Sequence, residues 1–82
     1  MMGLSKELLL GFMQEKLGVD TADLDEDTRL FSSGVIDSVG MVQLIVYVES
    51  EGDVKFSPDD ITLDNLDSIG RILNFVADGH GH

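Results

Sequence analysis

The side chains able to do chemistry in this chain are almost all oxygen donors. There is no cysteine, and the two histidines, His80 and His82, stand at the very end of the sequence. A self-contained serine nucleophile needs a base beside it, held in turn by a third group. With histidine confined to the tail no such triad can be assembled, and two tail histidines can catch a stray metal without forming a built site. What remains is two Asp-Ser pairs, Asp37-Ser38 and Asp67-Ser68, and an acidic run, Asp23-Leu24-Asp25-Glu26-Asp27. The run opens like a calcium-binding loop, but Thr28 stands at its sixth position where glycine makes the turn. Gly34 stands at its twelfth, where a bidentate glutamate is needed. Loose cation binding stays open for the run; a calcium loop does not.

The two Asp-Ser pairs each precede a helical pattern, so each reads first as an N-cap. Asp37-Ser38 has more around it. Gly34 comes shortly before, in a Ser33-Gly34 turn, and a long apolar helix follows. A serine in the first turn of such a helix is open to solvent. It also lies where free backbone N–H groups and the positive end of the helix dipole favour an anionic phosphodiester. Asp67-Ser68-Ile69 has neither the preceding glycine nor the long amphipathic helix, which makes Ser68 a structural residue.

The elements that position Ser38 follow from periodicity. A first helix is expected from about Ser5, its N-cap, to Leu17, with Leu9, Phe12, Met13 and Leu17 on one face and Gly18 as its stop. A long connection, Val19 to Ile36, should tuck Leu30, Phe31, Val35 and Ile36 onto the rest, because a bare loop of that length is unusual in so small a domain. The second helix should run from Ser38 to Glu51 and end at Gly52. A single turn follows at Ser57-Pro58-Asp59-Asp60, with Pro58 in the first helical position. The last helix is expected from near Asp64 to Ala77, on the stripe Ile69, Ile72, Leu73 and Val76. This is an all-α fold, a four-helix bundle of three longer helices and one short one with a long first loop. It forms one domain over 1–82, with its core at about 4–77 and a flexible tail at 78–82.

The second helix has two apolar faces. Met41, Leu44, Ile45 and Val48 gather on the core side at about 100° per residue, while Val39, Val42 and Val46 recur at i, i+3, i+7 on another. A helix on one side of a small bundle can bury only one stripe completely. The valines therefore either form a docking surface or are covered by Leu30, Phe31 and Ile36 from the loop.

Charge narrows the partners. Sixteen acids against five bases give −11, and no lysine or arginine occurs from Leu30 to Val54. Such a surface repels nucleic acid and anionic lipid and attracts basic partners, although acid excess also simply keeps a small domain in solution. No apolar run approaches the roughly 20 residues that span a bilayer, and no secretory leader is evident. A soluble, cytoplasmic monomer is expected, without nucleic-acid binding or membrane insertion.

The segment Gly34-Val35-Ile36-Asp37-Ser38-Val39 and the helix after it resemble the acyl carrier and peptidyl carrier protein family, whose signature is Gly, two hydrophobic residues, Asp-Ser and a hydrophobic residue. The likeness extends over nearly the whole chain: Leu30-Phe31, Glu49, Ser57-Pro58-Asp59-Asp60 and Asn65-Leu66-Asp67-Ser68-Ile69. Asp37-Ser38-Val39-Gly40 with Val42-Gln43-Leu44 looks most like freestanding carriers that serve amino-acid-activating ligases, including the D-alanyl carrier type. The resemblance implies a non-catalytic protein. In it a phosphopantetheinyl transferase attaches 4′-phosphopantetheine from coenzyme A to Ser38, with Asp37 capping the helix and helping the transferase. It further implies that the arm receives acyl or aminoacyl groups as thioesters from an adenylate-forming ligase and passes them to a downstream transferase or synthase. Val39, Val42, Gln43, Val46 and Glu49 would form the docking face. Gln43 and Gly40 stand where fatty-acid carriers often have acids, which points to a specialised carrier, and Gly40 is expected to leave room for the arm or a partner. The rivals are a fatty-acid or polyketide synthase carrier, and an acidic helical interaction module with no prosthetic group.

Overall fold

The computed structural model describes residues 4–78, all helix, turn and loop. Of the tail expected at 78–82, residues 79–82, with both histidines, lie outside the described residues.

Helix α1 spans Lys6–Lys16. Ser5 caps it as expected, its hydroxyl accepting the Leu8 N–H at 3.2 Å, and Gly18 leaves it at φ 71°. Leu9 and Met13 are fully buried and Phe12 and Leu17 half-buried, so the predicted stripe is the one that faces the core. Helix α2 spans Ser38–Gly52. It was expected to stop at Gly52, but Gly52 stays helical and Asp53 takes the left-handed turn at φ 55°. The reason is packing: a Cβ on Gly52 would lie 3.1 Å from a Val76 methyl, so the glycine serves a close approach of the C-terminal helix.

The short turn is a 3₁₀ helix, Pro58–Asp60, closed by a capping box in which Asp60 Oδ2 accepts both the backbone N–H and the hydroxyl of Ser57. The last predicted helix is two helices. α3 spans Leu63–Leu66 and α4 spans Ile69–Ala77. The helical path breaks because Asp67 turns inward to receive hydrogen bonds from the first loop, while Ser68 goes extended and caps α4 by accepting the Arg71 N–H. Around the core the described helices are thus four, with the single turn an addition to them.

The core is one cluster: Leu9 and Met13 from α1, Leu44 and Val48 from α2, Leu66 from α3, and Ile69 and Ile72 from α4. Val19, Leu30 and Ile36 from the long connection and Val54 from the segment after α2 complete it. Phe75, outside the predicted stripe, is also buried and stacks on Phe56 with ring centroids 4.6 Å apart. The connection does fold back as expected, except that Val35 stays exposed.

Candidate functional site: the head of the second helix

The residues before α2 set its direction. Gly34 turns the chain at φ 84°. The Ile36 N–H then returns to the Leu30 carbonyl at 2.9 Å, which folds residues 30–36 into a closed loop with Ile36 inside. Asp37 is the N-cap, its Oδ1 accepting the Gly40 N–H at 2.8 Å. Ser38 is the first helical residue and is exposed; its hydroxyl makes no hydrogen bond with any described residue. The Ser38 and Val39 N–H groups likewise have no acceptor among the described residues, as expected in the opening turn of a helix.

The second Asp-Ser pair has the opposite character. Ser68 is 4% exposed, with its oxygen engaged by Arg71, and Asp67 is fully buried. Burial pushes the Asp67 carboxyl up, but hydrogen bonds from the Ser32 hydroxyl, the Ser32 and Phe31 N–H groups and Arg29 outweigh it. Together they hold the group well below the usual carboxylate range. The sequence marks Asp67 only as half of an Asp-Ser cap pair; the cap is Ser68, and no local pattern shows that Asp67 turns inward to the loop.

Of the predicted docking residues, Val39, Val42 and Val46 are 64, 62 and 60% exposed. The loop does not cover them, since Leu30 and Ile36 point into the core on the other side of α2. Gln43 is exposed beside them. Glu49 has a structural task as well: its Oε2 accepts the Phe56 N–H at 2.8 Å and ties α2 to the chain that follows. Gly40 has a packing task within the chain: it is buried, and its missing Cβ makes space for Ile36. A side chain at position 40 could not stand on the docking face, so only Gln43 still bears on the comparison with acidic fatty-acid carriers.

The structure adds residues from α1 to this face. An open apolar groove of about 480 Å³ runs between α1 and α2, lined by Phe12 and Lys16 from α1 and by Val42, Gln43, Val46 and Tyr47 from α2. Phe12 and Tyr47 stack at 4.3 Å to form its floor. Burial, with help from the Glu51 carboxylate, pushes the Tyr47 phenol up, so it stays a donor to the Leu8 carbonyl. Phe12 had been read only as a core residue; its i, i+3 offset from Leu9 gave no hint of a partner on α2. In the acidic run, the Asp27 N–H and the Thr28 hydroxyl both donate to Asp25 and lower its carboxyl, so that residue shapes its own turn.

Comparison with known proteins agrees with this arrangement. The phosphopantetheine attachment site family matches residues 7–76. The chain belongs to that family. It is 34% identical over 64 residues to an acyl carrier protein of Thermotoga maritima, covering 78% of this chain and 76% of that one. It is 31% identical over 74 residues to a D-alanyl carrier protein of Streptococcus suis, covering 89% and 91%. With the acyl carrier protein AsbD of Bacillus anthracis the figures are 32% over 74 residues, 89% and 81%. As a carrier, the chain is a non-catalytic protein, and its prosthetic group is a covalently attached 4′-phosphopantetheine. The head of α2 fits that group, offering a free hydroxyl, two free N–H groups and no buried charge against the phosphodiester. No described helix is long and apolar enough to cross a membrane.

Proposed function

We propose that this single-domain protein is an acyl or aminoacyl carrier of specialised biosynthesis whose arm is attached at Ser38. The observation that carries the assignment is the contrast between the two candidate serines: Ser38 is solvent-open with an unengaged hydroxyl, and Ser68 is buried and engaged. When attached, the arm supplies a thiol that holds the cargo as a thioester. The chain's own residues present and direct it. Asp37 fixes the first turn through Gly40 and stays exposed to a transferase. Val39, Val42, Gln43 and Val46 offer an apolar strip, with Glu49 at its far end, to an adenylate-forming ligase and then to a downstream transferase or synthase. Weak, charge-steered contacts suit a protein that must release each partner in turn. The D-alanyl carrier relatives support an aminoacyl cargo, and the absence of a spanning helix among the described residues accords with work in the cytoplasm.

The test is mass spectrometry after incubation with coenzyme A and a promiscuous phosphopantetheinyl transferase. Wild type should gain one phosphopantetheine mass and Ser38→Ala none. A modified Ser38→Ala protein, or an unmodified wild type, would refute the assignment. Loading of the holo protein by a panel of adenylating ligases then identifies the cargo.

A further inference from the structure

Asp67 is a fully buried carboxylate that the carrier chemistry does not use. Removing a charge from water costs several kcal/mol unless its oxygens are satisfied. The donors to its oxygens come from three residues of the long loop, Arg29, Phe31 and Ser32. Asp67 Oδ1 accepts the Phe31 N–H at 2.7 Å and the Ser32 N–H at 3.0 Å. Oδ2 accepts the Ser32 hydroxyl and, at 3.4 Å, the Arg29 guanidinium. The Asp67 backbone carbonyl accepts the Leu30 N–H at 2.8 Å.

That anchored stretch leads to the modification site by direct contacts. The Leu30 carbonyl receives the Ile36 N–H at 2.9 Å. Ile36 in turn is buried against Gly40, in the first turn of α2. Asp37 and Ser38 are the next two residues. A second tie from the same region runs parallel, the Gly70 N–H donating to the Glu26 carbonyl at 2.9 Å.

We propose that Asp67 is a positioning residue for Ser38: it latches the loop from the break between α3 and α4, and so fixes the direction in which α2 presents its serine. The inference rests on the reading of Ser38 given above. The transferase joins Ser38 Oγ to the β-phosphorus of coenzyme A, expels adenosine bisphosphate and releases the hydroxyl proton. The rate of such a displacement depends on how well the attacking oxygen is placed. In Asp67→Asn one oxygen remains for the backbone N–H groups. The new amide then faces Arg29 donor against donor, and the Ser32 hydroxyl keeps a partner only by turning round to accept, without the carboxylate's charge, so the loop loosens while the core is unchanged.

The experiment compares wild type, Asp67→Asn and a core control of similar stability loss, Ile72→Val, well below their melting temperatures. It reads transferase kcat/KM and amide hydrogen exchange. Asp67→Asn should lose on the order of tenfold in kcat/KM, short of the hundredfold that a misplacement of about 1 Å can cost, and should exchange faster at Ile36 and Gly40. Ile72→Val should do neither. Wild-type kcat/KM and protection in Asp67→Asn, or equal losses in the control, would overturn the latch. If Asp67→Asn does not fold, Ser32→Ala and Arg29→Met each remove one side-chain donor and should give smaller changes of the same kind; wild-type behaviour in both would overturn it equally. Should even wild type gain no arm, the Ser38 assignment fails instead, and the exchange at Ile36 still decides whether the latch exists.

Discussion

Gly40 and Ile36 occupy each other's space: a Cβ placed on Gly40 would fall 2.6 Å from Cγ2 of Ile36. The obstructing methyl is fixed directly on the Ile36 β-carbon, so it cannot swing aside as the end of a long side chain could. The close approach sets the loop that carries Asp37 and Ser38 tightly against α2.

Gly40→Ala should therefore destabilise the protein although alanine is the better helix former. The propensity gain is up to about 1 kcal/mol and the overpacking cost about 1–3 kcal/mol, in the upper part of that range for a methyl that cannot move away, leaving a net loss of up to about 2 kcal/mol. In an Ile36→Ala background, itself costly, the same substitution should be close to neutral. A double-mutant cycle by urea unfolding reads the coupling; additivity would mean that the contact is absent in solution.

What was legible in the sequence is what neighbouring residues decide. The Ser5 and Asp37 caps, the Gly18 stop, the Ser57-Pro58 turn and the core face of α1 each rest on a few adjacent positions, and each stands in the structure. Periodicity grouped Val39, Val42 and Val46 on a second face of α2 but left their exposure open, because whether the loop covers them depends on where it packs. What escaped depends on distant partners. Asp67 gains its role from residues 35 or more positions away, and Gly52 is needed because Val76 lies against it. The Phe12–Tyr47 stack joins two helices, and the pattern of the first helix alone assigns Phe12 to its core face.

Ser68→Ala tests the division of labour between the two serines. It removes the cap on the Arg71 N–H and should cost about 1 kcal/mol, a fall in melting temperature of roughly 4–8 °C for a domain of this size. Arm attachment in the transferase assay should be unaffected. Loss of attachment at a temperature where the variant is folded would contradict the assignment.

The Asp67 carboxyl sits below its unfolded value, so the folded state binds fewer protons than the unfolded one and stability rises with pH across that interval. Its contribution is complete above the ordinary aspartate value of about 3.9 and fades as the pH falls below it. The stability gap between wild type and Asp67→Asn, measured from urea midpoints, should be largest near about pH 7 and shrink steadily below about pH 4. Asp25 is lowered too, but it is present in both proteins and cancels in the difference. A gap independent of pH would mean that the charge of Asp67 contributes nothing.

Glu49 faces two duties, and substitution separates them. Glu49→Ala leaves the Phe56 N–H without its acceptor and should cost about 1 kcal/mol, near the low end for a group that is only half-buried. Glu49→Gln keeps an oxygen there and should recover most of that loss. Ligase loading by Glu49→Gln then reports on the charge alone. An unchanged melting temperature in Glu49→Ala would remove the structural duty.

Val46→Asp addresses the docking strip directly. Val46 is 60% exposed and lines the groove that also holds the stacked Phe12 and Tyr47. An aspartate there stays hydrated in the free protein, so stability should change by no more than about 0.5 kcal/mol. In a docked complex the same carboxylate must be buried against an apolar surface without a partner, which is costly. The ligase should therefore load the variant with a KM raised roughly tenfold, equivalent to about 1.4 kcal/mol of docking energy. The kcat should fall far less, because the arm and its thiol are untouched. Normal loading kinetics with a large drop in melting temperature would place Val46 in the core and move the docking face elsewhere.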